Sequence, residues 1–469
     1  MIFERFDDRG LSQYSYAVGC RRAGAIAIVD PRRDVDVYLD YAAREGVAIR
    51  WVLETHIHAD FASGARELAA RTGAALRLSA YDEGERYEVR FAHTPVADGE
   101  ALDIGTTRLV ARHTPGHTPE HLSYLVFDTA RSASVPLLML TGDFLFVGSV
   151  GRPDLLGDEA SPALAARLYD SLRTVLADLP DGLEIHPGHG AGSMCGSGLG
   201  ERPMTTLGFE RVTNPYLRAD LSREAFVARV LADLPPRPPY YFRMKALNAA
   251  GPPLLWHLPG DRRLPPAEVM TRVEAGALVI DLRDAHAFAA GHIPGALGMP
   301  AVTQVSTWAG WVVPADRPIV LVAPDEATAE EAVRALVRVG LDRVEGRLDG
   351  GMEGWTAAGY PVARLAMMQP LELQARLARG ERLHVLDVRS AAEWRAGHVP
   401  RATHLMYGEL PARIDELPWR AEPVAVICGA GHRATLAASL LRRAGFEQVS
   451  VVAGGMAEWT LVGLPVETA

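Results

Sequence analysis

The sequence predicts an α/β protein of several domains with mainly parallel sheets, and three observations carry that reading. Short apolar runs alternate with stretches whose apolar residues fall at helical spacing. One ordered set of three motifs occurs twice. The 469-residue length corresponds to roughly three domains at about 150 residues each.

The elements follow in order. Tyr14–Gly19, Ala25–Val29 and Trp51–Thr55 read as strands, and Ser63 to Thr72 reads as a helix. Leu234-Pro235-Pro236-Arg237-Pro238-Pro239 and Gly251-Pro252-Pro253 disfavour regular structure and predict a stiff connector. Beyond it, Asp281-Leu282-Arg283 recurs as Asp387-Val388-Arg389, and Gly291-His292-Ile293-Pro294 recurs as Gly397-His398-Val399-Pro400. Gly350-Gly351-Met352-Glu353-Gly354-Trp355 recurs as Gly454-Gly455-Met456-Ala457-Glu458-Trp459. A near-constant offset of about 105 residues implies a tandem duplication of domain-sized units. Within the repeats, Ala277–Asp281 and Ile319–Val322 are apolar runs of buried-strand type, and Ala329 to Arg338 has helical spacing. The predicted division is a first domain at 1–245, a connector at 246–261, and repeats at 262–364 and 367–469.

Composition narrows the function classes. Forty-eight basic against 58 acidic residues give a net charge of −10, which argues against nucleic acid as a partner. The only lysine is Lys245, and no chemistry surrounds it in the sequence. Three dispersed cysteines write no disulfide framework and fit a reducing compartment. The acidic N-terminus has no apolar signal region and no apolar run is long enough to span a bilayer, so the expectation is a cytoplasmic protein without a membrane partner.

Histidines cluster early. The strand Trp51–Thr55 runs into His56-Ile57-His58-Ala59-Asp60-Phe61. Thr114-Pro115-Gly116-His117-Thr118, Thr141-Gly142-Asp143 and His186-Pro187-Gly188-His189-Gly190 follow. Two histidines alternating at a strand end point toward one place, where a distant histidine and aspartate can complete a metal site. Two neutral imidazoles and one carboxylate suit a divalent first-row metal, and open positions on such a triad favour iron(II) and O2 chemistry.

At these residues the chain resembles the metallo-β-lactamase fold, over roughly 1–240, which implies an αββα sandwich. Two-metal hydrolases of that fold carry a histidine where this chain has Phe61, and a phenyl ring cannot ligate metal. The segments resemble persulfide dioxygenases more closely. That resemblance implies one Fe(II) per chain held by His56, His117 and Asp143, with His58, Asp60 and His189 around them holding water or orienting the ligands. Arg152 and Asp154 lie in the stretch that follows Asp143; Arg152 is expected either to brace the site loop or to meet an anionic substrate.

Cys428 ends the apolar run Val424–Ile427 and opens Cys428-Gly429-Ala430-Gly431-His432-Arg433 ahead of a helical stretch. A thiol at such a junction sits among backbone N–H groups, where the helix dipole favours thiolate. Here the repeats resemble rhodanese domains. The resemblance makes Cys428 a persulfide carrier, with Arg433, Gly429, Ala430, Gly431 and His432 forming the substrate cradle. Gly429 and Ala430 are uncharged where thiosulfate-preferring rhodaneses are basic. In the first repeat Ala323 stands opposite Cys428 and Thr328 opposite Arg433, so this copy is read as inactive. Cys195 follows His189 on a glycine-rich loop and is read either as a site thiol that handles sulfane sulfur or as structural; Cys20 is read as core.

The order of domains is similar to that of dioxygenase–rhodanese fusions. This implies oxidation of a low-molecular-weight thiol persulfide (of glutathione, coenzyme A or a similar thiol) by O2 to sulfite. Transfer of a second sulfur through Cys428 to sulfite would then give thiosulfate. A homo-oligomer is expected on the same ground. The competing reading is a zinc thioesterase of the glyoxalase II type whose rhodanese domains carry sulfur or dock partners.

Overall fold

The computed structural model describes residues 1–468, which form two compact units, Met1–His257 and a second beginning at Leu258. The first unit is the expected αββα sandwich. One six-stranded sheet runs from Ile2–Asp8 through Gln13–Cys20, Ala25–Val29, Ala48–Leu53 and Ala75–Ser79 to Thr94–Val96. The other orders Thr205–Thr206, Glu184–Pro187, Leu138–Gly142, Leu122–Asp128, Thr107–His113 and Ala101–Ile104.

Alternation along these strands builds the core. Tyr16, Val18, Val29, Trp51 and Leu53 of the first sheet face Leu109, Ala111, Tyr124, Val126 and Leu140 of the second. Cys20 is buried in this layer, as read from the sequence. Helices Asp36–Glu45 and Ala65–Thr72 cover the outer face of the first sheet, and Ser161–Val175 and Arg223–Ala232 cover that of the second. The helix expected from Ser63 begins at Ala65, because the Ser63 hydroxyl bonds Glu54 and accepts the Ala65 amide.

The predicted connector is corrected at its start. Residues 246–250 complete the helix Tyr240–Ala250, and the chain as far as His257 clusters with the first unit. Gly251, at φ +88°, ends that helix. Beyond it, Glu67 accepts the amides of Leu255 and Trp256, which pins the segment to the sandwich.

The second unit contains two five-stranded parallel sheets of identical order. The first runs Arg263–Leu264, Val344–Leu348, Ile319–Val322, Leu278–Asp281, Leu297–Gly298, and the second Ala366–Met368, Val449–Val452, Val424–Ile427, His384–Asp387, Thr403–His404. In both copies the Asp of the Asp-x-Arg motif is paired with the last residue of the central strand, Asp281 with Val322 and Asp387 with Ile427. Among the described residues no helix is long and apolar enough to cross a membrane.

Candidate functional site

The sandwich brings His56, His117 and Asp143 together. Each leaves a strand end on a short loop, and all three are buried. Nε2 of His117 lies 3.3 Å from Oδ2 of Asp143, and Nε2 of His56 lies 3.9 Å from it. One ligand atom from each falls within 4.8 Å of the others. These same three atoms are buried without a hydrogen-bond partner. Buried polar atoms are nearly always bonded, so three convergent orphans are the mark of a site shaped for a cation.

The outer atoms of the triad are all engaged. Thr55 Oγ1 donates to Asp30 Oδ2 at 2.9 Å, so its lone pair accepts from His56 Nδ1, also at 2.9 Å. His117 Nδ1 donates to the Arg152 carbonyl at 2.8 Å. Both rings therefore turn a bare Nε2 inward. Burial, then neighbouring imidazoles, holds both well below the ordinary histidine range, which favours the neutral imidazole. Asp143 is fixed through Oδ1, which accepts from His189, and through its amide, which donates to His121 Nε2 at 3.0 Å.

The remaining residues of the histidine segments bond chiefly to one another, and Asp60, His189 and Cys195 form a second group whose ligand atoms lie within 4.8 Å of one another. His189 is clamped between Asp143 (2.8 Å) and Asp60 (2.7 Å), with both ring nitrogens engaged. Burial opposes its charge, and the two carboxylates overcome that and hold it well above its ordinary range. His58 turns to Asp30 at 3.2 Å and is raised in the same way, against the cost of burial. Phe61 is wholly buried, its ring 4.3 Å from that of His58. Asp30 itself adopts φ +54°, a strained conformation for a non-glycine residue that places its carboxylate against both Thr55 and His58.

Cys195 reaches this site. It lies within 4.8 Å of Asp60 and His189, and its Sγ is 3.8 Å from Tyr241 Oη. Burial, then the Asp60 and Asp143 carboxylates, pushes the thiol well above its ordinary range, so it is a buried, protonated thiol. Of the two roles open to Arg152, the geometry gives the bracing one. Its guanidinium pairs with both oxygens of Asp154 (2.6 and 2.8 Å) and donates to the Met194 and Pro235 carbonyls. The substrate-binding expectation for Arg152 is corrected accordingly: the group is buried and turned to protein acceptors.

Sequence reasoning missed the helix Tyr240–Ala250. Lys245 is fully buried and donates to the Ile57 carbonyl at 2.7 Å, with Glu120 Oε1 at 3.8 Å. Three residues on, Asn248 donates to the His58 and Phe61 carbonyls (both 2.8 Å) and accepts the Ser63 amide. Tyr240 donates to the Asp60 carbonyl. One helix face thus clamps the loop that carries His56. The signal was a lone lysine among arginines, and the reading that no chemistry surrounds it is overturned.

In the second rhodanese-like copy, Cys428 ends the central strand and is buried. Its Sγ accepts the Gly431 amide at 3.1 Å. Gly431 adopts φ +96° at the start of the helix His432–Arg443, a turn that directs its own amide at the sulfur. Gly429 is half-buried, Ala430 and His432 are exposed, and Arg433 pairs with Glu393. In the first copy the register places Ala323 at the Cys428 position. There Asp325 accepts the Thr328 amide at 2.8 Å, so the chain's own carboxylate occupies the helix start.

The family model for the metallo-beta-lactamase superfamily matches residues 8–189, and that for the rhodanese-like domain matches 265–358 and 369–461. The structure is similar to a metallo-beta-lactamase from Staphylococcus aureus subsp. aureus COL, 34% identical with a TM-score of 0.65, over 74% of this chain and 98% of that one. ETHE1 from Myxococcus xanthus matches at 30% identity and a TM-score of 0.45, over 53% of this chain and 99% of that one. A hydroxyacylglutathione hydrolase of Anaeromyxobacter dehalogenans (strain 2CP-C) is 33% identical over 47% of this chain and 87% of its own length. The chain belongs to the metallo-beta-lactamase superfamily, with two tandem rhodanese-like domains behind its metal-binding domain.

Proposed function

We propose that the chain is a mononuclear non-haem iron persulfide dioxygenase joined to a sulfurtransferase. The observation that carries this reading is the set of three orphaned ligand atoms of His56, His117 and Asp143, beside His58 whose ring packs on Phe61, a residue that offers no ligand. A two-histidine, one-carboxylate face leaves coordination positions open, as O2 chemistry requires. Bound iron(II) would supply the redox chemistry that activates O2 toward the terminal sulfur.

The protein's own residues supply orientation and exclusion of water. Thr55 and the Arg152 carbonyl fix the two rings, and Lys245 and Asn248 hold the His56 loop. The overall balance is RSSH + O2 + H2O giving RSH, SO3²⁻ and two protons. In the second step the Cys428 thiolate attacks the outer sulfur of another persulfide, the S–S bond breaks and RS⁻ leaves. Sulfite then takes that sulfur from the Cys428 persulfide, releasing thiosulfate and the Cys428 thiol. The substrate class is a small thiol persulfide such as that of glutathione or coenzyme A.

The relation to a hydroxyacylglutathione hydrolase favours a second reading, a zinc-dependent thioesterase. Metal analysis with paired assays separates the two. The dioxygenase reading expects one iron per chain, O2 uptake on glutathione persulfide and no hydrolysis of a glutathione thioester. Zinc with thioester hydrolysis and no O2 uptake would overturn it.

A further inference from the structure

We propose that Glu393 is a specificity-determining residue of the Cys428 cradle. By holding Arg433 at its mouth, it disfavours dianionic sulfur donors such as thiosulfate relative to persulfides. The inference rests on the reading of Cys428 as a sulfur carrier.

The pair is built rather than incidental. Arg433 Nη1 and Nη2 donate to the two Glu393 oxygens, both at 2.7 Å, in the bidentate geometry that fixes a guanidinium best. Glu393 is held from the other side, because Oε2 also accepts the Ser390 hydroxyl (2.8 Å) and amide (3.1 Å) in the capping box of the helix Ala391–Ala396. The pair also lies against the cradle. A Cβ added at Gly429, next to the nucleophile, would stand 3.1 Å from Arg433 Nη2 and 3.9 Å from Glu393 Oε1.

The rest of the loop, Gly429, Ala430 and Gly431, carries no charge, so Arg433 is its one formal cation. A dianion approaching Cys428 meets a guanidinium whose two terminal nitrogens already serve a carboxylate, and meets that carboxylate too. A persulfide, at most a monoanion at its sulfur, is penalised less.

The first copy supplies an internal control. Its helix Ala285–Ala290 occupies the place of Ala391–Ala396, which puts Ala287 opposite Glu393. Ala323 and Thr328 stand opposite Cys428 and Arg433. The scaffold pair is kept in both copies, Arg283 on Asp281 and Arg389 on Asp387. The Glu–Arg pair is missing from the copy that lacks the nucleophile, whereas the pair that serves the fold remains.

The test is the rate of Cys428 persulfide formation in the full-length protein, followed by mass spectrometry. The two donors are thiosulfate and 2-hydroxyethyl persulfide. With thiosulfate the Cys428 thiolate forms a bond to the sulfane sulfur, the S–S bond breaks and sulfite leaves with its electron pair. Glu393→Gln should lower KM for thiosulfate about three- to tenfold while moving that for the persulfide less, an effect of one unit charge close to a dianion, weakened by solvent. Glu393→Asp, which keeps the charge, should hold the wild-type ratio of the two donors. An unchanged or raised thiosulfate KM in Glu393→Gln, or an equal shift of the ratio in Glu393→Asp, would overturn the proposal. Wild-type protein that loads Cys428 from neither donor would overturn the sulfur-carrier reading, and the proposal with it.

Discussion

The two rhodanese-like copies share a fold and differ in the loop that follows the central strand. Both keep the buried Asp–Arg pair, with the arginine also donating to a loop carbonyl, Gly291 or Gly397, at 2.7 Å. Both keep a wholly buried tryptophan whose indole donates at 2.8 Å, Trp355 to Pro361 and Trp459 to Pro465. They part at the loop after the central strand, where one presents Cys428 under the Gly431 amide and the other presents Ala323 beside an Asp325 cap. The motifs that reveal the fold are therefore scaffold, and the chemistry rests on residues that the scaffold does not need.

The first copy still has packing work to do within this unit. The Trp311 ring sits so close to Gly408 that an added Cβ would lie 2.5 Å from it, and Gly298 donates to Ser439 on the helix that begins at the cradle. Trp308 lies 6.3 Å from the ring of Tyr407, which is buried near Arg433 and Glu393.

The difference between the copies can be broken in graded ways. The largest effect is expected from Cys428→Ala, which should reduce sulfur transfer by about a thousandfold or more, as loss of a nucleophile does. Ala323→Cys in the same background should restore none of it, because the Asp325 carboxylate stands where an anion would bind; a sulfurtransferase assay checks both. Next, Asp387→Asn and Asp281→Asn should each destabilise their copy by about 3 kcal/mol, since each leaves a largely buried arginine without its charge partner. Equal costs by denaturant unfolding would mark these residues as scaffold, whereas loss of transfer without loss of stability in Asp387→Asn would contradict that.

Gly408→Ala should cost about 1–3 kcal/mol by forcing a methyl group into the Trp311 ring, measured in the same way. The smallest effect concerns acid. Burial alone would raise the Glu393 carboxyl, but Arg433 holds it down to about 2, against an ordinary 4.5. A depressed carboxylate contributes stability that is complete above pH about 4.5 and lost as pH falls toward 2. Unfolding across that window should be less pH-dependent in Glu393→Gln than in wild type.

What was legible in the sequence was local. The Asp-x-Arg, Gly-His-x-Pro and Gly-Gly-Met segments each fix one turn or one buried pair, so they show in a few consecutive residues. The His56, His117 and Asp143 segments do the same at strand ends, and the structure brings all three together. What was hidden depends on residues far apart in the chain. Lys245 meets Ile57 across 188 positions, and the buried face of its helix carries Lys245 and Asn248 among apolar residues, so it shows no clean apolar stripe. For that reason the neighbouring prolines and glycine read as a connector and the predicted boundary cut through the helix. Glu393 meets Arg433 across 40 positions, so no short segment marks the pair, and locally it also closes a capping box with Ser390.

Two separate centres acting in sequence should be separable by a single substitution. Cys428→Ala protein supplied with glutathione persulfide should consume O2 at the wild-type rate and accumulate sulfite, with no enzymatic thiosulfate. Undiminished thiosulfate, or loss of O2 uptake along with the thiol, would contradict it.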